Sequence, residues 1–170
     1  MTEGKEHKRI REDVMRVIER KVKGTNLRIL SGHTGKGELR IYCQNEGLKP
    51  ILLSKPDILF VDDANRTVKS IIEIKDKDIR PKDILGILAS TSICNESWKD
   101  PKTRNSICGA SLYVVLNEKE YHKEGSQKIP QMKLLQDRTP KTQSISTYVI
   151  CSTKEFEDVF TLSERVEESK

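Results

Sequence analysis

The chain has 170 residues, with 35% apolar and 34% charged, a length and balance suited to one domain with a substantial buried core. No run of eighteen apolar residues occurs, which excludes a transmembrane helix. The opening residues through Lys8 and Arg9 lack an apolar core, so no secretory signal is expected and the expected location is cytoplasmic. The net charge of +5 and a pI of about 9.0 suit an anionic partner. The excess is uneven. Residues 1–50 hold twelve Lys or Arg against seven Asp or Glu, whereas the tail from Lys154 holds three against six. A basic face meeting phosphates produces such an asymmetry.

Taken in chain order, Ile10, Val14, Val17 and Ile18 recur at helical spacing among charges, which predicts an amphipathic helix over about 6–22. Gly24 stands where a helix stop belongs. Leu27-Arg28-Ile29-Leu30 and Leu39-Arg40-Ile41-Tyr42-Cys43 read as short strands. The loop between them, Gly32 to Gly37, contains Gly35-Lys36 but fails the phosphate-loop spacing. Only two residues separate Gly32 from Gly35, and Glu38 follows where a hydroxyl residue belongs. It reads as a strand connection, with contact to a DNA backbone as the functional alternative. Asp57 to Asp62 and Val68 to Lys75 are stronger strands. Asp63-Ala64-Asn65-Arg66 supplies turn chemistry between them, so the pair is expected to form a hairpin. Pro81 opens a second helix over about 81–95. Leu112 to Leu116 is a buried strand, residues 117–143 read as a polar excursion or long loop, and Ser146 to Cys151 is another strand. Ser152 or Thr153 is expected to cap a last helix carrying Phe156, Val159, Phe160 and Leu162. This order predicts an α/β (α+β) fold, a mixed sheet flanked by helices, in a single domain over 1–170.

The hairpin carries the chemistry. A turn centred on residues 63–67 sets Asp57 opposite Glu73, and opposed residues of an antiparallel pair share a face with Cβ atoms roughly 4.5–5.5 Å apart. Lys75 follows Glu73 by two and shares that face. Two carboxylates this close repel unless something positive lies between them, and a divalent cation held by hard oxygen ligands resolves the conflict. Such a cation would polarise a phosphoryl oxygen. The Ile74 carbonyl is a further candidate ligand, and Lys75 is placed to orient water or stabilise a phosphoryl transition state. The competing interpretation is a strand-end ladder in which Lys75 merely neutralises its neighbours.

With Pro56-Asp57, fifteen intervening residues and then Glu73-Ile74-Lys75, the sequence resembles the PD-(D/E)xK nuclease superfamily. The resemblance covers roughly residues 6–116 by pattern but only five residues by identity. It implies the restriction endonuclease-like αβββαβ core shared by restriction endonucleases, archaeal Holliday junction resolvases and related phage or viral nucleases. It also implies a metal-dependent endonuclease acting on duplex or branched DNA, in which Asp57 and Glu73 bind Mg²⁺ (Mn²⁺ substituting) and Lys75 assists the attacking water. Many relatives dimerise, so a homodimer is expected. Members often add an acid from the first helix. Here Glu6 and Asp13 flank the apolar stripe on one side, with Glu12 and Glu19 further round, and the periodicity selects none of them. Lys77, Arg80 and Lys82 follow the motif and are candidates for phosphate contacts, or simply for a solvated surface.

The remaining features are plainer. Cys43, Cys94, Cys108 and Cys151 lack zinc-ligand spacing and are read mostly as small core residues with reduced thiols. His7, His33 and His122 lie far apart in sequence and suggest no metal cluster. Trp98 is expected to pack beneath the long loop. The alternative to an enzyme is a non-catalytic nucleic-acid-binding module on the same fold, and a third reading is an unrelated α/β protein with a chance motif.

Overall fold

The computed structural model describes residues 4–32, 38–77, 79–98 and 103–161. Helix α1 (Lys5–Val22) buries Ile10, Val14, Val17 and Ile18, the stripe that its periodicity marks. It ends before Gly24, whose φ of +88° is a left-handed conformation that favours glycine. Strands β1 (Leu27–Ser31), β2 (Arg40–Cys43), β3 (Ile51–Ser54), β4 (Ile58–Asp62) and β5 (Thr67–Lys75) follow. Then come α2 (Pro81–Ser92), β6 (Glu96–Trp98), β7 (Arg104–Leu116), α3 (Glu118–Tyr121), α4 (Lys128–Arg138), β8 (Ile145–Ser152) and α5 (Phe156–Val159).

These strands form one mixed sheet. Its order is β1-β4-β5-β7-β6-β2-β3, with β8 also paired to β7. Strands β1, β4 and β5 are antiparallel neighbours, whereas β5, β7 and β8 run parallel. The turn at residues 63–66 closes the β4–β5 hairpin as expected, with Ile58 opposite Ile72 and Leu59 opposite Ile71. Buried side chains fill both faces of the sheet. Ile58, Phe60, Ile72, Ile74, Tyr113 and Val115 pack with the stripe of α1 and with Phe156 and Phe160. Leu59, Ile71, Leu112 and Val114 pack with Ile84 and Leu88 of α2 and Met132 of α4. Among the described residues no helix is long and apolar enough to cross a membrane.

Several expectations are corrected. The stretch 117–143 is no long loop but holds α3 and α4. Two parallel strands cannot be joined by a tight turn, so the chain between β7 and β8 crosses over and lays α4 against α2. The strand expected at 112–116 begins at Arg104, and its first residues pair with β6 rather than β8. Gly109, at φ +67°, marks the change of partner. The second helix stops at Ser92, short of residue 95. Strands β3 and β6 carry no alternation long enough to stand out in the sequence. Trp98 does not lie beneath a long loop; it belongs to β6, its ring tilted against that of Tyr42 at 4.4 Å between centroids, with the Arg104 guanidinium 4.3 Å above it. The last helix is a single turn with Glu155 at its N-cap, although Ser152 Oγ does accept from the Glu155 amide at 3.2 Å. Leu162 lies outside the described residues. Of the free cysteines, Cys94 and Cys151 are buried, Cys43 is half-buried and Cys108 is exposed, so a core role holds fully for only two.

Candidate active site

Asp57 enters β4 just as the hairpin ladder runs out. The last paired residues are Ile58 and Ile72, and one step further lie Asp57 and Glu73. Asp57 makes no ladder pair. Its carboxylate Oδ2 instead accepts the Ile74 amide at 2.7 Å and so caps the end of the hairpin. The other side of β5 is spoken for, because the Asn117 amide donates to the Lys75 carbonyl at 3.0 Å. In an extended strand the N–H and C=O of one residue point to the same side. The Ile74 carbonyl therefore also faces away from β7, toward Asp57.

Glu73 is the buried member, only 4% exposed. Its Oε1 accepts from Ser54 Oγ at 2.9 Å, and its Oε2 lies 3.8 Å from Lys75 Nζ. Burial is the main cause that pushes the Glu73 carboxyl up to about 7; the charge of Lys75 opposes the shift, that of Asp57 adds to it, and Ser54 and His7 oppose it more weakly. Lys75 is about one-third exposed and stands at the rim. Ile74 and Lys75 of β5 and Asp57 thus gather around Glu73 at the end of the hairpin, although Asp57 caps the Ile74 amide rather than pairing with Glu73 in the ladder.

Two neighbours were not singled out from the sequence. His7, on the first turns of α1, places Nε2 3.0 Å from Asp57 Oδ1. Ser54, the last residue of β3, stands three residues before Asp57 and reaches Glu73 with its hydroxyl. A signal for His7 does exist, since it stands seven residues before Val14 and so nearly beneath it on the helix. Ser54 has no local signal, because its meeting with Glu73 depends on tertiary pairing.

The first-helix acids are engaged elsewhere. Glu6 accepts from Arg9 at 2.6 Å and from Asn117 Nδ2 at 3.0 Å. Asp13 pairs with Arg16 at 2.6 Å, Glu12 approaches Lys8 at 3.8 Å, and Glu19 is exposed. Beyond the motif, Lys77 and Lys82 are exposed, whereas Arg80 makes a two-pronged contact with Asp83 at 2.8 and 3.0 Å. Residues 33–37, which include His33 and Lys36, lie outside the described residues.

Among the described residues no group of three His, Cys, Asp or Glu side chains is arranged to hold a metal ion. The donor set here is smaller: two carboxylates and one main-chain oxygen. Its chemistry fits a hard divalent cation, which prefers oxygen ligands and completes its shell with water. The raised Glu73 fits as well, because a buried carboxylate beside a second carboxylate is the setting that an added positive charge relieves. No known protein family, characterised protein or solved structure matches the chain.

Proposed function

We propose that this protein is a Mg²⁺-dependent DNA endonuclease of the PD-(D/E)xK type. The observation that carries the reading is the convergence of Asp57, buried Glu73 and Lys75 at the adjoining ends of β4 and β5. Asp57, Glu73 and the Ile74 carbonyl would hold the cation, which when bound supplies Lewis acidity toward a phosphodiester oxygen. Lys75, at the exposed rim, donates to the attacking water or to the phosphoryl oxygen on which charge builds. Burial of Glu73 keeps bulk solvent from the ligand side, and Ser54 fixes the rotamer of its carboxylate.

The element order supports the same reading. Helix α1, the antiparallel β1, β4 and β5, helix α2 and the parallel β7 come in an order compatible with the proposed αβββαβ core, with β2–β3 and β6 interposed. DNA, duplex or branched, is the proposed substrate, and a homodimer the proposed assembly.

The test is cleavage of supercoiled plasmid and of a four-way junction with Mg²⁺ or Mn²⁺. Asp57→Ala and Lys75→Ala are each expected to lower the rate at least a hundredfold while the circular dichroism spectrum stays unchanged. Equal cleavage by both variants and the wild type would remove the site. Wild-type binding without cleavage under either metal would make the protein a binding module. Sedimentation velocity at micromolar concentration tests the dimer.

A further inference from the structure

We infer that His7 is a positioning residue of this site, one that holds the Asp57 carboxylate in the orientation needed to share a cation with Glu73. The inference rests on the nuclease reading and adds to it a residue from α1.

The geometry is specific. Asp57 receives donors on both oxygens: the Ile74 amide on Oδ2 at 2.7 Å and His7 Nε2 on Oδ1 at 3.0 Å. A carboxylate only accepts, so Nε2 is the protonated nitrogen in this contact. Two donors from different elements fix both the rotation and the tilt of the carboxylate plane, which one donor does not.

His7 is itself held. It sits on the same helix that buries Ile10 and Val14 against the sheet. One turn further, buried Arg11 directs Nη1 to Ser31 Oγ at 3.4 Å, and Ser31 is the ladder partner of Ile58, the residue after Asp57. The start of α1 is therefore docked on the entry to β4. Both side chains of the contact are largely covered, 18% exposed for His7 and 13% for Asp57. A histidine retained there for solubility would face water. A ligand whose orientation is set by such a partner typically loses 10–100-fold in metal affinity when the partner is removed.

The experiment titrates Mn²⁺ into wild type, His7→Gln, His7→Phe and His7→Ala by calorimetry without DNA, and then measures plasmid cleavage. Gln keeps an N–H donor, Phe keeps the ring without one, and Ala keeps neither. His7→Ala and His7→Phe are expected to bind Mn²⁺ about 10–100-fold more weakly and to lose kcat with little change in KM for DNA. His7→Gln is expected to stay near the wild type in both. A thermal melt of each variant separates this pattern from a stability defect, and the Gln-against-Phe comparison stands even where Ala unfolds. Mn²⁺ affinity equal in wild type and His7→Phe would overturn the inference while leaving the nuclease reading intact. A wild type that neither binds Mn²⁺ nor cleaves DNA would remove both.

Discussion

Glu73 places a carboxyl group where ionisation is costly, and the cost has a sign. Its ordinary value is 4.5, and burial pushes it to about 7 in the folded chain. Between those values the folded protein holds a proton that the unfolded chain has released. Stability of the metal-free protein therefore declines as pH rises from about 4.5 to about 7 and levels off above that. Each tenfold change in proton affinity is worth about 1.4 kcal/mol, so the effect is on the order of 3 kcal/mol. Melting temperatures measured from pH 4.5 to 8 without divalent cations are expected to fall more steeply for the wild type than for Glu73→Gln. Parallel curves would show that Glu73 does not titrate in this window. Mg²⁺ is expected to raise the melting temperature more at pH 8 than at pH 5.5, because a cation binds only the ionised site. Glu73 was legible in the sequence because its neighbours on β5 are so apolar that a charge there demands a reason. His7 was less so. Its link to Asp57 depends on where the end of α1 docks, and a periodicity built on apolar residues passes over a histidine that shares their face.

At the scale of elements, β7 shows how one residue redirects a strand. Before Gly109 it pairs with β6, and after it with β8. An added Cβ at Gly109 meets no atom within 4 Å, so substitution there strains only the backbone. Gly109→Ala is expected to lose about 1–2 kcal/mol, the cost of a left-handed conformation for a residue with a side chain. Urea unfolding would report this as a lower midpoint with an unchanged slope, and an unchanged midpoint would refute it. Met132, fully buried between α4 and the sheet, is expected to lose more, about 2–5 kcal/mol on change to Ala. The two helices and the hairpin that frame the site were legible because each carries a long, regular pattern. Helix α4 is not, since Ile129, Met132, Leu134 and Leu135 are mixed with as many charges and Leu134 points outward, which blurs the apolar stripe. Only the need to join two parallel strands requires a crossover there. Strand β3 is silent in the sequence for a related reason. Ile51 and Leu52 are exposed, 63% and 44%, so its four residues show no inward–outward alternation to read.

For the whole molecule, charge decides how a polyanion is met. The net excess is only five, yet its placement matters more than its size. At the candidate site Lys75 stands at the rim, and Lys77 and Lys82, which follow it in the chain, are exposed. Arg80 is already engaged by Asp83, and the far end of α1 spends Arg20 on Glu157. His7 and Arg20 are thirteen residues apart on that helix, about 20 Å at 1.5 Å per residue. The two ends of α1 would therefore meet different regions of a bound duplex. Each phosphate neutralised by a lysine releases counterions, so affinity falls with salt in proportion to the number of such contacts. Binding of a 30-base-pair duplex, measured from 50 to 300 mM salt in Ca²⁺, is expected to weaken steeply for the wild type. Lys77→Ala and Lys82→Ala should each lower the logarithmic salt slope by about 1, whereas Arg20→Ala should leave it unchanged. A slope insensitive to both lysines would move the DNA path away from the β5–α2 junction. If Arg20→Ala lowered it instead, the path would run along the opposite end of α1, remote from Asp57 and Glu73, and the candidate site would lose its substrate.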